Sequence, residues 1–139
     1  MERSRVAVCA ARCIAVLLTL LPAVACRSRP AIQGDTAVVA TYKFPTLSAN
    51  LPDEARVPAV IAAAEQTVRA RGYSVSRSGA TEEQGVLVCR PPRTTDYPTI
   101  EVRATRVAVG TRVAVRCEPF GDEHLSRSLL DGILSRLGL

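Results

Sequence analysis

Residues 99–118 read TIEVRATRVAVGTRVAVRCE, and the fold turns on their period. Val113, Val115 and Cys117 alternate with Arg112, Ala114 and Arg116, and Ile100 and Val102 alternate with Glu101 and Arg103. A strand points successive side chains to opposite faces, so each segment has one apolar face and one charged face. Two such strands around a tight turn near Gly110 describe an antiparallel sheet covered on one side. The duplicated TRVAV at 105–109 and 111–115 is too short for a stacked repeat, which needs about three or more copies. It reads as two arms of one hairpin or as a chance Val-rich repeat, and it blurs where the earlier strand ends.

Downstream, FGDEHLSRSLLDGILSRLGL spans 120–139 and changes period. Leu125, Leu129, Ile133 and Leu137 recur every four residues, with Leu130 and Leu134 widening the stripe, as in a helix laid on a sheet. Asp122 suits the N-cap and Glu123 the positive end of the helix. The polar face carries only Arg127 and Arg136, fewer cations than a membrane-surface helix needs.

Upstream, YSVSR (73–77) and GVLVCR (85–90) are two further short strands, separated by SGATEEQ and followed by the loop PPRTTDYP. Before them, Val57, Val60, Ile61, Ala64 and Val68 form one helical stripe within PAVIAAAEQTVRARG. Pro58 belongs in its first turn, Glu65 and Arg69 pair on its outer face, and Gly72 ends it, with Tyr73 as the following apolar contact. TAVVATYKF (36–44) is the first strand, and 45–53 is a connection rich in turn residues. The expected architecture is α+β, in the order β-α-β-β-β-β-α. Both helices lie on one face of a curved five-stranded antiparallel sheet, and the first strand pairs beside the last.

The N-terminus reads differently. Arg3, Arg5 and Arg12 precede CIAVLLTLLPAVA, a run of 13 apolar-rich residues at 13–25. A bilayer-spanning helix needs about 20, and extending this run upstream buries Arg12 at about 2.5 kcal/mol or more. A basic start, a short apolar run and small residues before a break describe an export signal over 1–25. Ala23-Val24-Ala25-Cys26 resembles the lipobox of bacterial lipoproteins, which makes Cys26 the acylated first residue of the mature chain, although Ala23 stands where Leu is usual. Ordinary cleavage after Ala25 is the alternative. RSRPAIQGD (27–35) then reads, with Cys26, as a polar tether, and 36–139 as one α+β domain. Arg27 after the Cys favours the outer membrane by resemblance to enteric sorting, with the domain facing the periplasm.

Cysteine use agrees. Cys9 and Cys13 leave with the signal, and Cys26 takes lipid. Cys89 and Cys117 fall two strands apart, about 9.6 Å at about 4.8 Å per strand and beyond the roughly 7 Å that a disulfide spans. They are expected as two buried free thiols. With one His in the chain, they cannot complete a four-ligand zinc site.

These features together resemble a family of small bacterial lipoproteins built on a domain of unknown function. The resemblance rests on the lipobox Cys, ARGYSV at the end of the first β-α unit, and TRVAVRCEPFGDEHLSRSLLDGIL. The Pro-Pro loop at Pro91 and Pro92 departs from the pattern. The likeness implies a helix-on-sheet fold related to that of the TATA-box-binding protein, and no catalytic residue.

The formal charge of +5 falls to +3 once 1–25 are removed, and all but one of the 18 basic residues are Arg. Such a balance is as readily compositional as functional. Nucleic-acid binding is disfavoured by the export signal and by the lack of intercalating Phe on the sheet. Catalysis has little to work with. His124 sits in the first turn of a helix, Glu82 and Glu83 in a loop, and Asp122 and Ser126 at capping and helix-face positions; no cofactor is expected. The remaining candidate is the sheet face that bears Arg103, Arg112 and Arg116 beside Glu101 and Glu118. It is either a solvated face of weak ion pairs or a docking surface for an envelope protein or anionic envelope polymer. The expectation is a non-enzymatic binding or scaffolding lipoprotein, anchored to the membrane by lipid on Cys26. The alternative is a soluble exported domain with a ligand-binding or minor enzymatic role.

Overall fold

A computed structural model describes residues 28–92 and 98–139, so Cys26 and the expected signal lie outside the described residues. The elements are β1 (Arg29–Gln33), β2 (Val38–Lys43), β3 (Thr46–Leu51), α1 (Val57–Ala70), β4 (Ser74–Ala80), β5 (Gln84–Arg90), β6 (Thr99–Arg106), β7 (Thr111–Glu118) and α2 (Glu123–Leu137). The chain is α+β, with an antiparallel sheet of seven strands in the order β1-β2-β3-β7-β6-β5-β4. Both helices cover one face: α1 packs on β4, β5 and β6, and α2 packs on β7, β3 and β1. None of the described helices is long and apolar enough to cross a membrane.

The five-strand expectation is corrected at two places. Thr46–Leu51, expected as a connection, is β3, with Leu47, Ala49 and Leu51 buried against the helices. Its Leu, Ala, Ser and Asn are weak strand formers, so burial rather than propensity fixes it. Residues 29–33, expected as tether, form β1, paired from Arg29 opposite Tyr42 to Gln33 opposite Val38. Pro30 obscures it in the sequence, but a missing N–H is tolerated on an edge strand. In consequence β3, not the strand read at 36–44, lies beside β7.

The helices follow their sequence signals. Pro58 lies in the first turn of α1, Glu65 pairs with Arg69 at 2.7 Å, and Tyr73 donates its backbone N–H to the Val68 carbonyl beyond Gly72. Asp122 caps α2 by accepting from the Leu125 N–H at 2.8 Å. The core is aliphatic, built on Leu47, Leu87, Ile100, Val102, Leu129, Ile133 and their neighbours, with Tyr73 its one fully buried aromatic among the described residues.

The two TRVAV copies adopt different structures. Thr105 and Arg106 end β6, and Val107 turns the chain, donating its N–H to the Gly110 carbonyl; Val113 and Val115 of the second copy are central core residues. Gly110 cannot be replaced cheaply, because its φ is +80° and a Cβ there would stand 1.9 Å from the Leu51 carbonyl oxygen.

Candidate binding face

Among the described residues no helix or loop covers the face opposite the helices, and register assembles its polar residues into rows. Arg103 on β6 stands opposite Ala114 on β7, and Ser48 on β3 stands opposite Ala114 from the other side. Arg112 and Arg116 flank Ala114 two residues away along β7, so three guanidinium side chains surround a methyl group. Ala114 and Ser48 keep the floor low while the arginines rise around it. The result is a shallow depression of about 220 Å³ lined by Thr46, Glu101, Arg103, Ala114 and Arg116. A second, of about 300 Å³, adjoins it between Arg112, Asn50, Ser48, Thr41, Val39 and Lys43.

The three arginines are not equivalent. Arg103 pairs with Glu101 two residues along its own strand, and Arg116 meets Glu118 at 3.2 Å. Arg112 instead donates from Nε to the Asn50 Oδ1 at 3.1 Å, a neutral partner that orients the guanidinium without cancelling its charge. Screened surface pairs hold their partners weakly, by about 1 kcal/mol or less, so an incoming anion can compete for Arg103 and Arg116 as well. Planar guanidinium groups bind carboxylate and phosphate through paired N–H donors, which is the chemistry such a face offers. Ile32 and Val39 face each other across β1 and β2 at its rim, both exposed.

Sequence reasoning located Arg103, Arg112 and Arg116 but missed Lys43, Thr46, Ser48 and Asn50 of the same face. The missing step was β3; once TLSANL is read as an alternating strand, Thr46, Ser48 and Asn50 fall on the arginine side.

The other candidates are not brought together. His124 is exposed in the first turn of α2, whereas Ser126 is buried, its Oγ 3.3 Å from the Cys117 Sγ. Glu82 and Glu83 are exposed in the β4–β5 turn, closed by the Thr81 N–H donating to the Gln84 carbonyl. Cys89 and Cys117 are free and buried, both opposite parts of the β6 register at Ile100, as their spacing predicted. Burial pushes the Cys89 thiol up to about 11, helped by the Glu65 carboxylate. Burial also raises Cys117, against the hydrogen bond from Ser126. Protonated thiols this deep are packing groups rather than nucleophiles. Among the described residues, His, Cys, Asp and Glu nowhere gather in threes fit to hold a metal. No family model matches the chain, and no similar protein was found among curated sequences.

Proposed function

We propose that this protein is a lipoprotein of the bacterial cell envelope, held by acyl chains on Cys26. Its domain faces the periplasm, with the outer membrane favoured over the inner. The arginine face binds an anionic partner, either an acidic envelope protein or an anionic envelope polymer. The molecular role is binding or scaffolding rather than catalysis. The observation that carries this reading is Arg103, Arg112 and Arg116 disposed around Ala114 on a sheet face that neither described helix covers. The AVAC stretch and the likeness of ARGYSV and FGDEHLS to lipoprotein domains of unknown function support the anchor.

Two measurements test it. The intact mass of membrane-extracted protein is expected to fit a chain starting at Cys26 with added acyl mass, which Cys26→Ala loses. A chain cut after Ala25 without lipid would make it a soluble exported domain bearing the same face. Retention of the protein on immobilised dextran sulfate is expected to fall sharply in the double variant Arg112→Glu/Arg116→Glu, with far-UV circular dichroism unchanged. Unaltered retention in that variant would reduce the face to a solvated surface.

A further inference from the structure

The chain contains two Phe residues, and neither is in the core: Phe44 is 73 % exposed and Phe120 78 %. Phe44 lies in the β2–β3 turn and Phe120 in the turn from β7 to α2, far apart in sequence and together in space. The ring edge of Phe44, at Cε2, lies 3.1 Å from where a Cβ on Gly121 would sit, and Pro45 lies at 2.9 Å from the same point. Two exposed aromatic rings, with Pro45, Pro119 and the Tyr42 hydroxyl beside them, form a largely apolar tip outside the core.

The chain enters the fold at this same tip. β1 begins with Arg29 opposite Tyr42, two residues before Phe44. Cys26 precedes Arg29 by three residues, a reach of about 10 Å at most for extended chain. A lipid on Cys26 therefore brings the Phe44–Phe120 tip to the bilayer surface without a long tether to hold it away.

Charge is disposed the same way. Lys43 and Arg90 are exposed at the tip end, and among the described residues the carboxylates there are engaged: Glu118 by Arg116, Glu123 by Arg127 and Asp122 by the Leu125 N–H. The opposite end carries exposed Asp35, Glu54, Glu82 and Glu83 against exposed Arg56 and Arg136, with Asp53 bound to Arg106, so acids are in excess there among the described residues. An anionic leaflet attracts the first end and repels the second.

We propose that the Phe44–Phe120 tip is a second membrane contact, seating its rings in the interface of an anionic bilayer beside the lipid on Cys26. The proposal rests on the lipoprotein reading above. Aromatic rings at headgroup depth add apolar burial to an acyl anchor and fix the angle at which the domain stands.

The test uses the full acylated chain, whose natural sequence has no Trp, in vesicles of phosphatidylethanolamine and phosphatidylglycerol with a headgroup-level nitroxide lipid. The indole introduced by Phe44→Trp or by Phe120→Trp is expected to lose most of its emission to the nitroxide. The indole of Val109→Trp, at the far β6–β7 turn and equally exposed, is expected to keep its emission. Intact mass reports acylation separately, and circular dichroism reports folding of each variant. Acylated protein with no quenching at 44 or 120 overturns the second contact and leaves the anchor standing. Absence of acyl mass overturns both. Indoles at 44 and 120 that shift with protein concentration in the absence of vesicles, and show no quenching in their presence, assign the tip to a second copy of this chain and overturn the membrane contact.

Discussion

Gly85 is the second residue of β5, next to the β4–β5 turn, and lies on the sheet's covered face under α1. A Cβ at this position would stand 2.5 Å from the Ile61 Cγ1, 3.1 Å from its Cδ1 and 3.2 Å from the Val57 Cγ1. Carbon atoms rest at about 3.5–4.0 Å, so Gly85→Ala forces α1 outward, or Ile61 out of its rotamer, by about 1 Å. Overpacking of this kind costs about 1–3 kcal/mol, and the stiffer unfolded chain returns about 0.4–1 kcal/mol of it. The net expectation is a loss of about 1–2 kcal/mol. Ile61→Ala alone leaves a cavity and costs about 2–5 kcal/mol. In the double variant the new methyl group enters the vacated space, so the combined loss is smaller than the sum by about 1–2 kcal/mol. Urea unfolding followed by far-UV circular dichroism measures all four corners of the cycle. A neutral or stabilising Gly85→Ala, or strict additivity with Ile61→Ala, would refute the close seating of α1 on β5.

Asp122→Ala removes the acceptor for the Leu125 N–H and is expected to cost about 1 kcal/mol, whereas Asp122→Asn keeps most of it. The urea midpoints of the two variants check the cap. The buried thiols set an alkaline limit. Because the folded Cys89 pKa is raised from 9.0 to about 11, the unfolded chain loses that proton first. The associated stability is complete below about pH 9 and is lost as pH rises from there through about pH 11. Urea midpoints between about pH 8 and about pH 10 are expected to fall less steeply in Cys89→Ala/Cys117→Ala; an unchanged slope there would exclude the thiols as its source.

The legible parts of the fold were those in which local pattern and burial agree. The valines of β6 and β7 alternate, the stripes of α1 and α2 recur at helical spacing, and Asp122 and Gly72 mark helix ends with their own chemistry. β3 was hidden because Leu47, Ala49 and Leu51 are buried by α2 and the neighbouring strands while Pro45, Ser48 and Asn50 resemble turn residues. β1 was hidden because Pro30 and Gln33 read as coil until a partner strand satisfies the backbone. Losing β3 also lost half of the arginine face, since Asn50 and Ser48 meet Arg112 and Ala114 only through its register. The Phe tip was illegible for another reason: two loops remote in sequence meet only after the sheet order is known.

The proposed anchor and the arginine face set demands on one another that the strand direction meets. β7 runs toward the tip, so Arg116 stands two residues, about 7 Å, from Glu118 at the tip end, and Arg112 stands six residues, about 20 Å, away. Charges within a Debye length of about 8 Å feel an anionic leaflet, and those well beyond it do not. Arg116, inside that range, stands beside Glu118, so the pair as a whole presents little net charge to the proposed headgroups. Arg112, beyond it, donates to the neutral Asn50 and so, under the proposed binding role, keeps its charge for an anionic partner. β1 constrains this proposed arrangement. By pairing with β2 up to Arg29 it leaves three residues between Cys26 and the sheet, which under the proposed anchor limits how far the arginine face can swing onto the membrane. A loose tether at the same sequence position would let the cationic face collapse onto anionic lipid, where it could bind nothing else.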